Sequence, residues 1–271
     1  MTILIIILVL SAACAALLSA VFGPCATWWF VLRIPLLFLA AFLALLILYF
    51  LILFVISLFV DVNKPVKRAH HGFRRVLTET VELILILGRV RIRATGLSKV
   101  DRTKPFLLTA NHRSNFDPFV ALKLFKGTEI VYICKPSIFK IPIAGGFAHM
   151  SGFLSINRED NREGLKTILR AVDILKDEKT AVAVYPEGTR NKTEPGLLPF
   201  RAGAFSMARR AQVPVVVAFS KHTEDIAHRF FLHRTVVDFT VADVLPAEQV
   251  ASMQTHEISD AVRERMESCM N

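Results

Sequence analysis

The first sixty residues contain no Asp, Glu or Lys and a single Arg, Arg33. Within them, Thr2–Phe22 is apolar and small, and Ile34–Val60 is apolar for 27 residues. As helices rising about 1.5 Å per residue, the two stretches would span roughly 31 Å and roughly 40 Å. A bilayer core is about 30 Å thick, so both qualify as membrane segments, the second with tilt. Between them, GPCATWWF holds a chain-breaking Pro24 and two tryptophans, Trp28 and Trp29, suited to an interface. A two-helix hairpin over residues 1–62 is the expectation, whether it spans the bilayer or dips into one leaflet. A secretory signal is the other reading of residues 1–22, but no basic segment precedes the apolar run. Lys64, Lys67, Arg68, Arg74 and Arg75 follow the second segment, which predicts that both hairpin ends face the cytoplasm.

From Asp61 onward the chain carries 32 Lys plus Arg against 23 Asp plus Glu, a net charge of +9. Beside a membrane segment that charge suits anionic lipid head groups rather than nucleic acid. The four cysteines, Cys14, Cys25, Cys134 and Cys269, have no metal-ligand spacing, and two lie in the apolar segment. Neither a disulfide framework nor a metal site is expected.

Residues 63–271 alternate short β-type runs with helical stretches. His70–Leu87 places Phe73, Val76, Leu77, Thr80, Val81, Ile84 and Leu85 at helical spacing. Strands are expected at 90–94, 106–110, 129–134, 153–156, 180–185, 213–219 and 235–244, and helices at 117–125, 161–177, 201–211 and 255–269. This pattern predicts an α/β domain around a largely buried sheet. Polar clusters follow three of the strands: Asn111 and His112, then Arg158, then Glu187–Arg190. Ligand sites in open α/β sheets lie beyond the carboxyl ends of strands, so parallel strands would bring the three clusters to one edge.

The stretch NHRSNFDP (111–118) sets His112 five residues before Asp117. The spacing alone carries little, because His233 and Asp238 repeat it. That second pair flanks or sits in a strand, where an offset of five points side chains to opposite faces. His112 and Asp117 instead bracket a loop entering a helix. There a carboxylate can hold one imidazole nitrogen as N–H and leave the other free to take a proton from a hydroxyl. Asp117 before Pro118 is equally a helix-start signature. Ser114 raises the rival of a nucleophilic serine, but the chain has no G-x-S-x-G elbow. A hydrogen bond at the helix entry is the simpler role for it. In YPEGTRN (185–191), Pro186 and Gly188 bend the backbone, Thr189 offers a hydroxyl and Arg190 a planar fork to phosphate. Glu187 cannot bind phosphate; holding Arg190 or a backbone N–H suits it better. HRFFLHR (228–234) reads either as a membrane-contact patch or as core with charged ends. Asn191-Lys192-Thr193 fits the glycosylation pattern, but the topology above keeps it in the cytoplasm.

NHRSNFDP resembles the N-H-x-x-x-x-D block of the glycerolipid acyltransferases, particularly the 1-acylglycerol-3-phosphate acyltransferases. The likeness continues in order through KPSIFKIPIAGGFAHMSGFLSINR (135–158), YPEGTRN followed by LPFRAGAFSMA (198–208), and VPVVVAF (213–219), covering about residues 70–265. Asn157 stands where an Asp is common, and Val216 and Val217 where a second Pro is often found. The resemblance implies a mixed central sheet flanked by helices. It implies His112 as general base, Asp117 as its orienting partner, and Arg158, Glu187, Gly188, Thr189 and Arg190 as the acceptor's phosphate site. The reaction would be transfer of an acyl group from acyl-CoA or acyl-carrier protein to the free hydroxyl of 1-acyl-sn-glycerol 3-phosphate, with no metal, no further cofactor and no nucleic acid. Another lysophospholipid or glycerol 3-phosphate as acceptor is the near alternative. A noncatalytic lipid-binding protein on the same fold is the distant one.

Overall fold

The computed structural model describes residues 1–21, 29–66, 69–157, 160–177, 180–192 and 196–270. Helix α1 (Thr2–Val21) and helix α2 (Trp29–Leu58) pack against each other as a hairpin. Only 17% of the most apolar stretch of α1 and 6% of that of α2 is buried, so neither is the core helix of a soluble protein. This unburied apolar surface makes the hairpin membrane-associated.

The second helix begins at Trp29, earlier than its apolar run, because Arg33 is accommodated: its Nη2 donates to Ser19 O at 2.8 Å in the last turn of α1. Its far end does not extend free. The hydroxyls of Tyr49 and Thr80 lie 2.5 Å apart, and Ser57 and Val60 abut Gly146. Twenty steps from Trp29 to Tyr49 leave about 30 Å of unattached helix, which matches the twenty-residue α1. The Thr2 N–H donates to Glu79 at 3.0 Å, so α1 starts where α2 ends, on helix α3 (His71–Leu87).

The remaining chain forms a seven-stranded sheet in the order β1-β7-β6-β2-β5-β3-β4, counted over the described residues. The strands are β1 (Val90–Thr95), β2 (Leu107–Ala110), β3 (Ile130–Cys134), β4 (Leu154–Ser155), β5 (Ala181–Val184), β6 (Val215–Lys221) and β7 (Thr235–Leu245). Each falls within or beside a run expected from the sequence. Strands β6, β2, β5, β3 and β4 are mutually parallel, while β7 runs antiparallel to β6 and carries β1 parallel to itself. The sheet is therefore mixed.

Alternation along β6 supplies both layers of the core. Val215 and Val217 face one cluster, with Leu175 of α6 (Asn161–Asp177), Met207 of α7 (Ser206–Ala211), Val250 of α9 (Ala247–Ser252) and Val262 of α10 (Thr255–Glu267). Val216 and Ala218 face the other, with Val81 and Leu85 of α3 and Val120 of α4 (Asp117–Leu124). Both faces of the central strands are covered, which is why they read as continuous apolar runs.

Short helices α5 (Ala144–Met150) and α8 (Asp225–Arg229), like α9, had no periodic signal long enough to predict them. The helix expected at 201–211 divides into a 3₁₀ turn, Ala202–Phe205, and α7. The repeat pair is disposed of by geometry: Asp238 in β7 binds Arg93 of β1 at 2.8 Å, and His233 is exposed before the strand.

Candidate functional site

Because β2 and β5 are parallel neighbours, their carboxyl ends deliver NHRSNFDP and YPEGTRN side by side. The β6 end, on the other side of β2, delivers Thr223 and Glu224 to the same edge. Asn111 stitches β2 to β6: its Nδ2 donates to Ser220 O at 2.9 Å, and its Oδ1 accepts from Ser220 N at 2.7 Å.

His112 Nδ1 lies 2.8 Å from Asp117 Oδ2. That oxygen also accepts the backbone N–H groups of Arg113 and Ser114, each at 2.8 Å. The other oxygen accepts the Thr223 hydroxyl. Asp117 is only 2% exposed, so these donors replace water around it. The arrangement settles the tautomer. A carboxylate oxygen ringed by donors accepts from the ring as well, so in the neutral imidazole Nδ1 carries the hydrogen and Nε2 the lone pair. The His112 ring stacks on Tyr185, with centroids 4.3 Å apart and planes 18° from parallel, which fixes its tilt. Burial holds the Tyr185 phenol well above its usual range, so the stacked ring stays neutral. The cavity behind Asp117, lined by Ala110, Ala121, Tyr185, Ser220 and Phe239 among others, is about 10 Å³. It admits no more than a water. The open approach to His112 is therefore from the sheet edge, where its side chain is 19% exposed.

Of two details at the helix entry, the first departs from the capping role the sequence allowed and the second agrees with the role it favoured. Asp117 is the first residue of α4 with Pro118 second, and its carboxylate turns back to the loop instead of capping the helix. Ser114 is buried, and its Oγ accepts from Phe116 N at 3.2 Å, a helix-entry contact.

The second loop interlocks with the first. Glu187 Oε1 accepts from His112 N at 2.7 Å, and Oε2 accepts from Leu198 N at 3.0 Å. Asn191 N donates to His112 O at 2.7 Å. Glu187 is thus a buried brace on backbone, not a partner of Arg190. Burial raises its carboxyl, against the pull of the two N–H donors. Gly188 N donates to Tyr185 O at 2.9 Å, closing a turn in which Gly188 takes φ +72°, a conformation that favours glycine. Arg263 of α10 donates to the carbonyls of Leu197 and Leu198 at 3.0 Å, supporting the strap that Glu187 holds.

Thr189 and Arg190 emerge from this turn exposed to solvent. Lys135, exposed directly after β3, projects from the same edge one strand further on. Arg158, the remaining predicted phosphate ligand, lies outside the described residues, although β4 ends at this edge. Asn191 is 2% exposed and donates to Gly196 O at 2.8 Å, which removes it as a glycosylation acceptor. Thr223, Tyr185 and Arg263 had no local signal in the sequence. The strand-end rule that located His112 and Glu187 was the one available pointer to Thr223, which follows β6.

In chemical terms the edge holds a fixed imidazole lone pair beside exposed cationic and hydroxyl groups. Residues 91–220 match the family model described as Acyltransferase. The chain is 28% identical over 186 residues to a 1-acyl-sn-glycerol-3-phosphate acyltransferase of Saccharomyces cerevisiae, covering 67% of this chain and 60% of that protein. It is 29% identical over 158 residues to the Escherichia coli protein of the same name, covering 58% of this chain and 64% of that one. The 1-acyl-sn-glycerol-3-phosphate acyltransferase alpha of Bos taurus is 27% identical over 187 residues, covering 68% of this chain and 64% of that one. The chain thus spans about three-fifths of the length of these curated relatives. Among solved structures, the 1-acyl-sn-glycerophosphate (LPA) acyltransferase of Thermotoga maritima superposes with a TM-score of 0.58 over 82% of this chain and 88% of that one. At 17% identity that likeness establishes the fold.

Proposed function

We propose that this chain, whose residues 91–220 form a domain of the Acyltransferase family, is a membrane-bound O-acyltransferase that converts 1-acyl-sn-glycerol 3-phosphate to phosphatidate. The observation that carries the reading is the His112–Asp117 pair, with Nδ1 held as donor and Nε2 free at an open sheet edge. Nε2 takes the proton of the acceptor's free hydroxyl as its oxygen attacks the thioester carbonyl. The tetrahedral adduct collapses, the carbon–sulfur bond breaks, and the leaving thiolate takes the proton back from His112. Asp117 aims the ring and stabilises the imidazolium while it lasts. The scheme needs no covalent acyl-enzyme and calls on no metal. Arg190, Thr189 and Arg158 are the proposed phosphate contacts; Glu187 and Gly188 shape the loop that presents them.

In this reading residues 1–62 anchor the protein and residues 63–271 carry the reaction, with acyl-CoA or acyl-carrier protein as donor. The basic residues after α2 support placing this domain on the cytoplasmic face. An acceptor panel with labelled acyl thioester tests the assignment. Lysophosphatidate should be preferred over unphosphorylated acylglycerol. Arg190→Ala should raise KM for the phosphate-bearing acceptor and leave the unphosphorylated one unchanged. An equal loss on both acceptors would remove Arg190 from the phosphate site.

A further inference from the structure

The segment between α8 and β7 presents two large apolar side chains to solvent. Phe231 is 60% exposed and Leu232 74% exposed. Phe231 takes φ +65°, a conformation that bulky residues rarely adopt and that costs stability. The neighbouring Phe230 turns inward. Its ring sits against Phe116 with centroids 6.0 Å apart. It packs so closely on Gly88 that a Cβ there would lie 2.5 Å from it. Arg89 Nη1 donates to Leu232 O at 3.2 Å. The tip is therefore a braced projection: one phenylalanine keyed into the domain, and the next two apolar side chains held outward at the expense of backbone strain.

Its surroundings are basic. Residues 226–237 include His228, Arg229, His233 and Arg234 and no acidic residue. All four are exposed, and Arg229 has only a loose pairing with Asp225 at 3.8 Å. The tip and the membrane hairpin also rest on the same helix, α3, and its C-cap. The hairpin meets α3 at Glu79 and Thr80, and the tip meets the end of the same helix at Gly88. Eight residues of helix separate the two contacts by about 12 Å.

We propose that Phe231 and Leu232 insert into the bilayer as a second membrane contact, with Arg229, Arg234 and the flanking histidines against anionic head groups. Exposed apolar side chains ringed by cations are the chemistry of an anionic lipid interface. The contact of Phe230 with Phe116 then seats the loop that carries His112 and Asp117 at the lipid surface, where an amphipathic acceptor resides. The proposal concerns lipid contact and stands or falls separately from the catalytic assignment, so its test reads contact and not turnover.

The full chain with Trp28→Phe, Trp29→Phe and Phe231→Trp has one tryptophan, at the tip. It is reconstituted in phosphatidylcholine vesicles, with or without phosphatidylglycerol, containing lipids brominated on the acyl chain. A matched variant with Glu248→Trp in place of Phe231→Trp carries its one tryptophan on α9, exposed against the opposite sheet face. The tip tryptophan should show blue-shifted emission, quenching by brominated lipid and protection from iodide. The α9 tryptophan should show the reverse. Phosphatidylglycerol should deepen the quenching at the tip, and Arg229→Gln with Arg234→Gln should abolish that increment. Iodide quenching of the tip tryptophan without bromolipid quenching would overturn the proposal by placing the tip in water. Protection from both quenchers would overturn it by placing a protein surface there. Indifference to phosphatidylglycerol would overturn the head-group part.

Discussion

Asp117→Asn separates aiming the ring from stabilising its charge. The asparagine can fit in two ways. With its oxygen at the position of Oδ2, it still accepts from Arg113 N, Ser114 N and His112 Nδ1, and its amide faces Thr223, whose hydroxyl can rotate to accept. With the amide reversed, an NH₂ group would confront two backbone donors that cannot invert. Two buried clashes of donor on donor exclude that orientation, at roughly 1–3 kcal/mol for each group left unsatisfied. The tautomer of His112 is therefore preserved, and what disappears is the carboxylate charge. A full charge pair about 4 Å apart at an effective dielectric near 20 is worth about 4 kcal/mol. With about half a proton transferred at the transition state, about 2 kcal/mol is lost, or roughly 30-fold in rate. Where an Asp-to-Asn exchange inverts the tautomer, as in the serine-protease triad, the loss is about 10⁴-fold. Steady-state acyl transfer to lysophosphatidate in mixed micelles, with circular dichroism as the check on folding, measures the difference. A folded Asp117→Asn protein losing more than about 10³-fold would refute the pinning argument, since the pinning caps the loss near the charge term. A loss under about threefold would refute the charge-stabilising role.

Thr223→Val leaves the second Asp117 oxygen without its donor. It should lower kcat by about five- to tenfold with little change in KM, an effect of about 1 kcal/mol, whereas Thr223→Ser should restore the rate. Glu187 supplies a pH test. Burial raises its folded pKa above the unfolded value. Folding therefore favours the protonated form, and the stability attributable to Glu187 must fall as pH rises from the unfolded pKa through the folded one. Thermal melts of wild type relative to Glu187→Gln should show that decline; a difference that grows with pH would contradict it.

The strands were legible because sheets buried on both faces require continuous apolar runs, and seven such runs punctuate residues 90–245. The shared edge for His112 and Glu187 followed from assuming that β2 and β5 are parallel, which they are. Other features depend on distant pairing and left no local pattern. Thr223 reaches Asp117 across 106 residues of chain, and Arg263 supports Leu198 across 65. Tyr185 lay inside an expected strand, where nothing distinguished stacking on His112 from core packing. The role of Glu187 was half legible: a carboxylate in a loop expected to bind an anion must hold something other than the anion, but which backbone N–H groups it holds depended on the fold. The second hairpin helix extends back to Trp29, beyond the apolar run from Ile34, and a carbonyl of the partner helix accepts from the Arg33 that interrupts the apolar sequence.

The central claim is that His112 Nε2 takes the proton from the acceptor hydroxyl. The most direct measurement is acyl transfer from labelled thioester to lysophosphatidate by purified wild type and His112→Ala in the same vesicles. The alanine variant should bind acceptor as wild type does and lose about 10²–10⁴-fold in kcat. Equal transfer by the two proteins would contradict the account.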